Sequence, residues 1–153
     1  GTAGTLRANW NFFQGRPGMV LHGDNYFDDE LPGLLETFDK RDEAIIASML
    51  VFESDNPSEC GIVEIDESNR VIAFHEKVPN PPSHTASAAI FVFSSAVGEL
   101  IAKLASRTPD LSRDLIPLLL GRMNVQHSEN PVIDIGTPRG LVAAKNASVE
   151  FRA

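Results

Sequence analysis

Three short apolar runs end in residues that could do chemistry. "VLHGDN" carries Val20 and Leu21 into Gly23-Asp24-Asn25. "VIAFHEK" runs into Glu76-Lys77, and "VIDIGTP" sets Asp134 between two isoleucines, ahead of Gly136-Thr137-Pro138. A carboxylate after a glycine at a strand end either closes an ordinary turn or is placed to hold something positive. Two bare carboxylates about 4 Å apart repel by roughly 4 kcal/mol at an effective dielectric near 20, so a pair of them calls for a cation. Glu76-Lys77 sets a carboxylate and an ammonium side by side at the end of its run. The same dipeptide could be a surface ion pair worth under about 1 kcal/mol. Asp134 lies between Ile133 and Ile135, which places it on a strand expected to be buried on both faces, where a structural carboxylate would be costly. A fourth polar element is "GTAGT", Gly1 to Thr5, a helix entry whose backbone N–H groups and small residues would let a planar or anionic group approach.

Other polar residues read as structural. Asp28, Asp29 and Glu30 are expected to be a solvated first turn favoured by the helix dipole. His22 and His75 have no partner at ligand spacing, Asp114 suits a helix start, and Cys60 has no neighbouring His or Lys to activate it.

The elements that must position these groups alternate in type. Ala3, Leu6, Trp10 and Phe13 fall at helical spacing, and the run Gln14 to Gly18 stops that helix. Met19–His22 reads as a short buried strand. Leu31–Arg41 reads as an amphipathic helix with Leu34, Leu35 and Phe38 inward. Ile45–Phe52 is a β-rich run, followed by a turn at Asp55-Asn56-Pro57. Gly61–Ile65 and Val71–His75 flank the turn residues Asp66-Glu67-Ser68-Asn69 as a hairpin. The proline-rich Pro79–Pro82 cannot join a ladder. Ser87–Phe93 is a further strand, and Ser94 or Ser95 could cap a helix carrying Val97, Leu100, Ile101 and Leu104. Leu115–Leu120 reads as a helix, Val132–Ile135 as a strand, and Thr137-Pro138 opens a last helix with proline at its first position. Strands alternating with helices indicate an α/β sheet with the hairpin as an antiparallel insertion. In such sheets ligands bind beyond the carboxyl ends of the strands, which is where the polar residues above fall.

The chain has 153 residues, one domain's worth and enough to bury a real core. A net charge of −8 and the lack of any basic patch argue against nucleic acid as a partner. An acidic protein can still bind phosphorylated small molecules through a divalent cation. The longest apolar run, Ala44 to Phe52 interrupted by Ser48, is too short to span a bilayer, so no membrane partner is expected. A single cysteine and no charged-then-apolar leader fit a cytoplasmic protein.

Six motifs in this order resemble the sugar-phosphate nucleotidyltransferases, the enzymes that make nucleoside-diphosphate sugars, and in particular mannose-1-phosphate guanylyltransferases. They are "GTAGTL" (Gly1–Leu6), "LHGDN" (Leu21–Asn25), "CGIVEID" (Cys60–Asp66), "FHEKV" (Phe74–Val78), "DLIPLLLGR" (Asp114–Arg122) and "DIGTP" (Asp134–Pro138). The resemblance implies a Rossmann-like mixed sheet flanked by helices, with residues 1–153 the C-terminal portion of a single nucleotidyltransferase domain whose first strands are absent. It implies attack of a sugar 1-phosphate on a nucleoside triphosphate, with mannose 1-phosphate and GTP the expected substrates. By the same resemblance, Asp24 and Asp134 are the catalytic pair holding Mg2+. Lys77 would bind the sugar phosphate, and Glu76, Gly61 and Ser87 would contact the sugar. Gly1, Thr2, Ala3 and Gly4 would lie against the base.

The sequence departs from the family in three ways. It contains no Gly-x-Gly loop of the G-x-G-x-x-R kind that cradles the triphosphate, and Ser87 and Ala89 stand where the family usually has Asn and Gly. The chain is therefore expected to be inactive alone. The alternative reading is a non-catalytic, nucleotide-sugar-binding or regulatory subunit. Missing strands would leave an open sheet edge, so self-association as a homo-oligomer, or low stability, is expected of the isolated chain.

Overall fold

The computed structural model describes residues 1–27, 31–130 and 132–150, the side chains of 148–150 excepted. The acids Asp28, Asp29 and Glu30 lie outside the described residues. At the centre is β6 (Thr85–Phe93), which pairs antiparallel with β3 (Ala47–Glu53), β4 (Gly61–Ile65) and β1 (Gly18–Leu21). β4 forms a hairpin with β5 (Val71–Glu76), and β3 pairs in parallel with β7 (Met123–His127). The mixed sheet therefore runs β5-β4-β6-β3-β7, with β1 beside the C-terminal half of β6. Among the described residues β1 pairs with no other strand, so its second edge is open.

Alternation along the strands sorts the apolar residues onto two faces. Met49, Val51, Phe91 and Phe93 join one core with Ala3 and Leu6 of α1 (Thr2–Asn9), Val97 and Ile101 of α3 (Val97–Ala102), and the segment 111–119. Leu50, Phe52, Ala88, Ile90 and Val92 join the other with Leu34 and Phe38 of α2 (Leu31–Asp39). With both faces covered, each fully buried Leu or Ile contributes about 1.5–3 kcal/mol.

Several expectations are corrected. Leu35 is 43% exposed, because the short α2 turns only its Leu34–Phe38 line onto the sheet. Ser94 and Ser95 do not cap α3 with their side chains: its N-cap position is Ala96, without a side-chain cap bond. The helix expected over Leu115–Leu120 is a π turn, Leu111–Leu115, followed by a 3-10 turn, Ile116–Leu119. Pro117 has no N–H to continue an α ladder. The true cap is Asp110, whose Oδ1 accepts from Ser112 N and Arg113 N, while Asp114 Oδ2 accepts from Asp110 N at 2.6 Å.

The strand expected over Val132–Ile135 is the two-residue β8 (Ile133–Asp134). It pairs only with β2 (Asn25–Tyr26), in a ribbon apart from the main sheet. Asp134 is exposed rather than buried on both faces. Finally α4 (Pro138–Glu150) starts with Thr137 Oγ1 accepting from Gly140 N at 3.0 Å, as a proline at the first position allows.

Candidate functional site

A bulge in β6 aims the segment that carries Asp24. Met49 pairs with Phe91 but Val51 pairs with Ser87, so β6 holds two more residues than β3 across this interval. Ala89 takes φ 54° to make the bulge, a left-handed conformation uncommon for a residue with a Cβ. The displaced carbonyls become anchors. Ala89 O accepts from His22 N at 3.2 Å, and Ala88 O accepts from Asn25 Nδ2 at 2.8 Å. Asp24 is thus clamped on both sides.

The ribbon then brings the second carboxylate to the first. Asn25 is paired with Asp134, and Asp24 O accepts from Ile135 N at 2.8 Å. Gly136 N donates to Asp134 Oδ1 at 2.7 Å, fixing that carboxylate's direction. A Cβ added at Gly136 would lie 2.9 Å from Asp134 Oδ1 and 3.6 Å from Asp24 Oδ2, so both carboxylates border one small space that glycine leaves open.

The hairpin supplies the far wall. Gly61 pairs with Glu76, and a Cβ on Gly61 would fall 2.4 Å from Phe74 Cζ and 3.1 Å from Glu76 Oε2. Glycine is therefore required for the carboxylate of Glu76 to reach over the strand. Lys77 leaves the ladder with φ 49°, its N–H still donating to Cys60 O at 3.1 Å. Among the described residues Lys77 and Glu76 form no ion pair with each other, which removes the reading of a surface salt bridge. Ser87 Oγ accepts from Ala89 N at 3.1 Å and keeps its hydroxyl proton to donate.

These walls enclose a cavity of about 270 Å³ to which Asp24, Gly61, Glu76, Lys77, Ser87 and Asp134 all contribute. Glu59 joins the other three acids, and among the described residues Lys77 is the cavity's lone cationic side chain. Four carboxylates against one lysine repel a phosphorylated ligand unless a divalent cation mediates. Among the described residues no group of three or more His, Cys, Asp and Glu side chains could hold a metal ion. Two facing carboxylates suit Mg2+, which takes one or two carboxylates and completes its octahedron with phosphate oxygens and water.

The glycine-rich entry is placed differently. A Cβ on Gly1 would meet Pro109 O at 2.5 Å, Gly4 N donates to Pro109 O at 2.9 Å, and Ala3 is fully buried. Their smallness is accounted for by packing of α1 on the 109–111 segment. Thr2 lines a second, more apolar cavity of about 590 Å³ together with Phe12, Phe13, Val20 and Leu21. Its hydroxyl donates to Asp110 Oδ2 at 3.0 Å and accepts from Leu111 N at 2.9 Å. Asp110 is held below the ordinary carboxylate range. Burial works against its charge, but the Thr2 hydroxyl and the N–H groups of Arg113, Ser112 and Thr2 outweigh it.

Four contributors escaped the sequence reading. His22 lines both cavities and Cys60 lines the smaller one, Cys60 Sγ lying 3.3 Å from Ser54 Oγ. Asn25 is the clamp and Gly136 the gap between the acids. Asn25 adjoins Asp24 in sequence, and Gly136 lies two positions after Asp134. His75, read as structural, is paired with Glu64 at 2.7 Å on the outer hairpin.

The family described as Nucleotidyl transferase matches residues 1–150. A glucose-1-phosphate adenylyltransferase of Bacillus cytotoxicus is 29% identical over 127 residues, covering 78% of this chain and 34% of that protein. Another, from Bacillus mycoides, is 26% identical over 151 residues, covering 92% of this chain and 40% of that protein. The chain thus spans less than half the length of these relatives. A crystal structure from Bacillus anthracis, assigned as a glucose-1-phosphate thymidylyltransferase and holding sucrose, superposes with a TM-score of 0.84 at 24% identity. That superposition covers 96% of this chain and 60% of the solved one.

Proposed function

The chain belongs to the nucleotidyl transferase family, and from that premise we propose that the protein carrying it joins a hexose 1-phosphate to a nucleoside triphosphate. The observation that supports this reading is the convergence of Asp24, Asp134, Gly61, Glu76, Lys77 and Ser87, drawn from five separate stretches of sequence, on one cavity. In the reaction, a phosphate oxygen of the sugar phosphate attacks the α-phosphorus of the triphosphate. The bond from that phosphorus to the bridging oxygen breaks, and pyrophosphate leaves with the electron pair. The nucleophile is already ionised at neutral pH, so no side chain has to take a proton. Positioning and charge neutralisation remain to be supplied.

Lys77 grips the sugar phosphate with a compact, mobile charge. Glu76 and Ser87 accept from and donate to sugar hydroxyls, and the open backbone at Gly61 lets the ring lie close. Asp24 and Asp134 would hold Mg2+, which when bound offsets the charge of the phosphates brought together. Glucose 1-phosphate is the sugar named for the relatives, whereas the motifs of this chain resemble enzymes using mannose 1-phosphate and GTP. The hexose 1-phosphate class covers both.

The test is pyrophosphate release by the protein carrying this chain, with Mg2+, glucose or mannose 1-phosphate, and ATP, dTTP or GTP. Release in at least one combination is expected, with a fall of about 100-fold or more in Asp24→Asn and in Asp134→Asn. Near-normal turnover in both variants removes the carboxylate pair from the reaction. The alternative reading is binding of nucleotide sugars without synthesis. No release in any combination, with retained nucleotide-sugar binding, would establish it.

A further inference from the structure

His22 ends β1 with its backbone fully engaged, its N–H on Ala89 O at 3.2 Å and its carbonyl accepting from Asn25 N at 3.5 Å. Its ring nitrogen Nε2 is buried and, among the described residues, has no hydrogen-bond partner. An apolar side chain of similar size would seal this wall without leaving a polar atom unsatisfied, so the histidine is an anomaly that asks for a cause. Orphaned N–H donors are rarer in native proteins than orphaned acceptors. A neutral ring therefore keeps its lone pair on Nε2 and its proton on Nδ1, the nitrogen that is not sealed.

The position of the ring supplies the cause. The larger, apolar cavity and the smaller, polar one share three residues: His22, Asp24 and Leu111. These form the ridge over which a ligand occupying both cavities would pass. Leu111 offers no polar side-chain atom, and an ionised Asp24 only accepts. His22 is the one side chain on the ridge with a hydrogen to give, and phosphate oxygens are strong acceptors. We propose that His22 is a ligand-positioning residue whose Nδ1–H donates to a phosphate oxygen of the bound ligand at the junction of the two cavities. This rests on the sugar-phosphate reading above. It adds a donor beside Asp24 to the cavity that Lys77 also lines.

Calorimetric titration with glucose 1-phosphate and with mannose 1-phosphate, in the presence of Mg2+, tests it. The proteins compared are the wild type, His22→Asn, His22→Gln, His22→Leu and Lys77→Ala. Asparagine places its amide near the position of Nδ1, and glutamine near that of Nε2. His22→Leu and His22→Gln are expected to weaken binding by about 10-fold or more, as for a lost hydrogen bond to a charged group. His22→Asn should stay within about threefold of wild type. His22→Leu should also melt roughly 2–4 °C higher, having lost the orphaned nitrogen. Wild-type affinity in His22→Leu, alongside lost binding in Lys77→Ala, overturns the inference and leaves the proposed function standing. Losses of affinity that follow losses of melting temperature in all three variants mark a structural histidine and also overturn it. A wild type that binds neither sugar phosphate takes down the sugar-phosphate reading together with this one.

Discussion

Filling the space between the two carboxylates, without touching their charge, separates a metal-holding pair from two acids that happen to be neighbours. Gly136→Ala does this. Its Cβ would lie 2.9 Å from Asp134 Oδ1, closer than side-chain carbons ordinarily come to an oxygen, and 3.6 Å from Asp24 Oδ2, an ordinary contact. The Asp134 carboxylate must therefore give by a few tenths of an ångström, and it can only do so by loosening the 2.7 Å bond it accepts from Gly136 N. The atom that moves is the end of an exposed side chain, so the fold pays little. Losing a glycine also stabilises by about 0.4–1 kcal/mol through the unfolded chain. The melting temperature should stay within roughly 3 °C of wild type. Mg2+ tolerates displacement poorly, because it demands near-ideal octahedral distances of about 2.0–2.1 Å. A methyl group in the gap should weaken it about 10-fold, or about 1.4 kcal/mol. Calorimetric titration with Mg2+ measures this, with Asp24→Asn as the abolished limit. Gly23→Ala is the silent control, since a Cβ there meets nothing within 4 Å. Wild-type Mg2+ affinity in Gly136→Ala, with affinity lost in Asp24→Asn, would refute the argument that the ion lies between the two acids.

Ala89→Gly relieves the left-handed strain of the β6 bulge, at φ 54°. It should raise the urea midpoint by up to about 1 kcal/mol of stability after glycine's own entropy is offset. A lowered midpoint would show that the strain argument is wrong. Asp110→Ala should cost about 1 kcal/mol at pH 7, as for loss of a helix cap. Asp110's acidity is raised in the fold, so its contribution is present above the ordinary carboxylate value of 3.8 and is lost as pH falls through the lower folded value. The stability gap between wild type and variant, from urea titrations over a pH series, should therefore be constant down to about pH 4 and close below it. A gap that instead closes between pH 7 and 5 would contradict this.

How far the site could be read from sequence differs by residue. Asp24, Glu76 and Lys77 were found because each follows an apolar run at a strand end, and that local pattern survives in the fold. Asp134 was found for a reason that fails: it is exposed on a two-residue strand, and its position comes from pairing with Asn25 rather than from burial. β7 went unread although Met123 and Val125 alternate inward after a glycine at φ 72°. Five residues with three polar members give too weak a period to separate from loop, and only pairing with β3 makes them a strand. His22 gave no signal at all, because an unsatisfied nitrogen exists only once neighbours have closed around it.

Sequence by itself determined the alternation of strands and helices, the hairpin turn at Asp66–Asn69, the two apolar faces and the residue types of the site. These follow from short-range rules: the period of side-chain direction, proline's missing N–H and the acids that end strands. Tertiary structure alone decided that β6 bulges at Ala89, that its freed carbonyls clamp the Asp24 loop, and that a detached ribbon carries Asp134 to it. Those outcomes depend on which strands pair and in what register. Such contacts join residues far apart in the chain, and no local pattern of side chains encodes them.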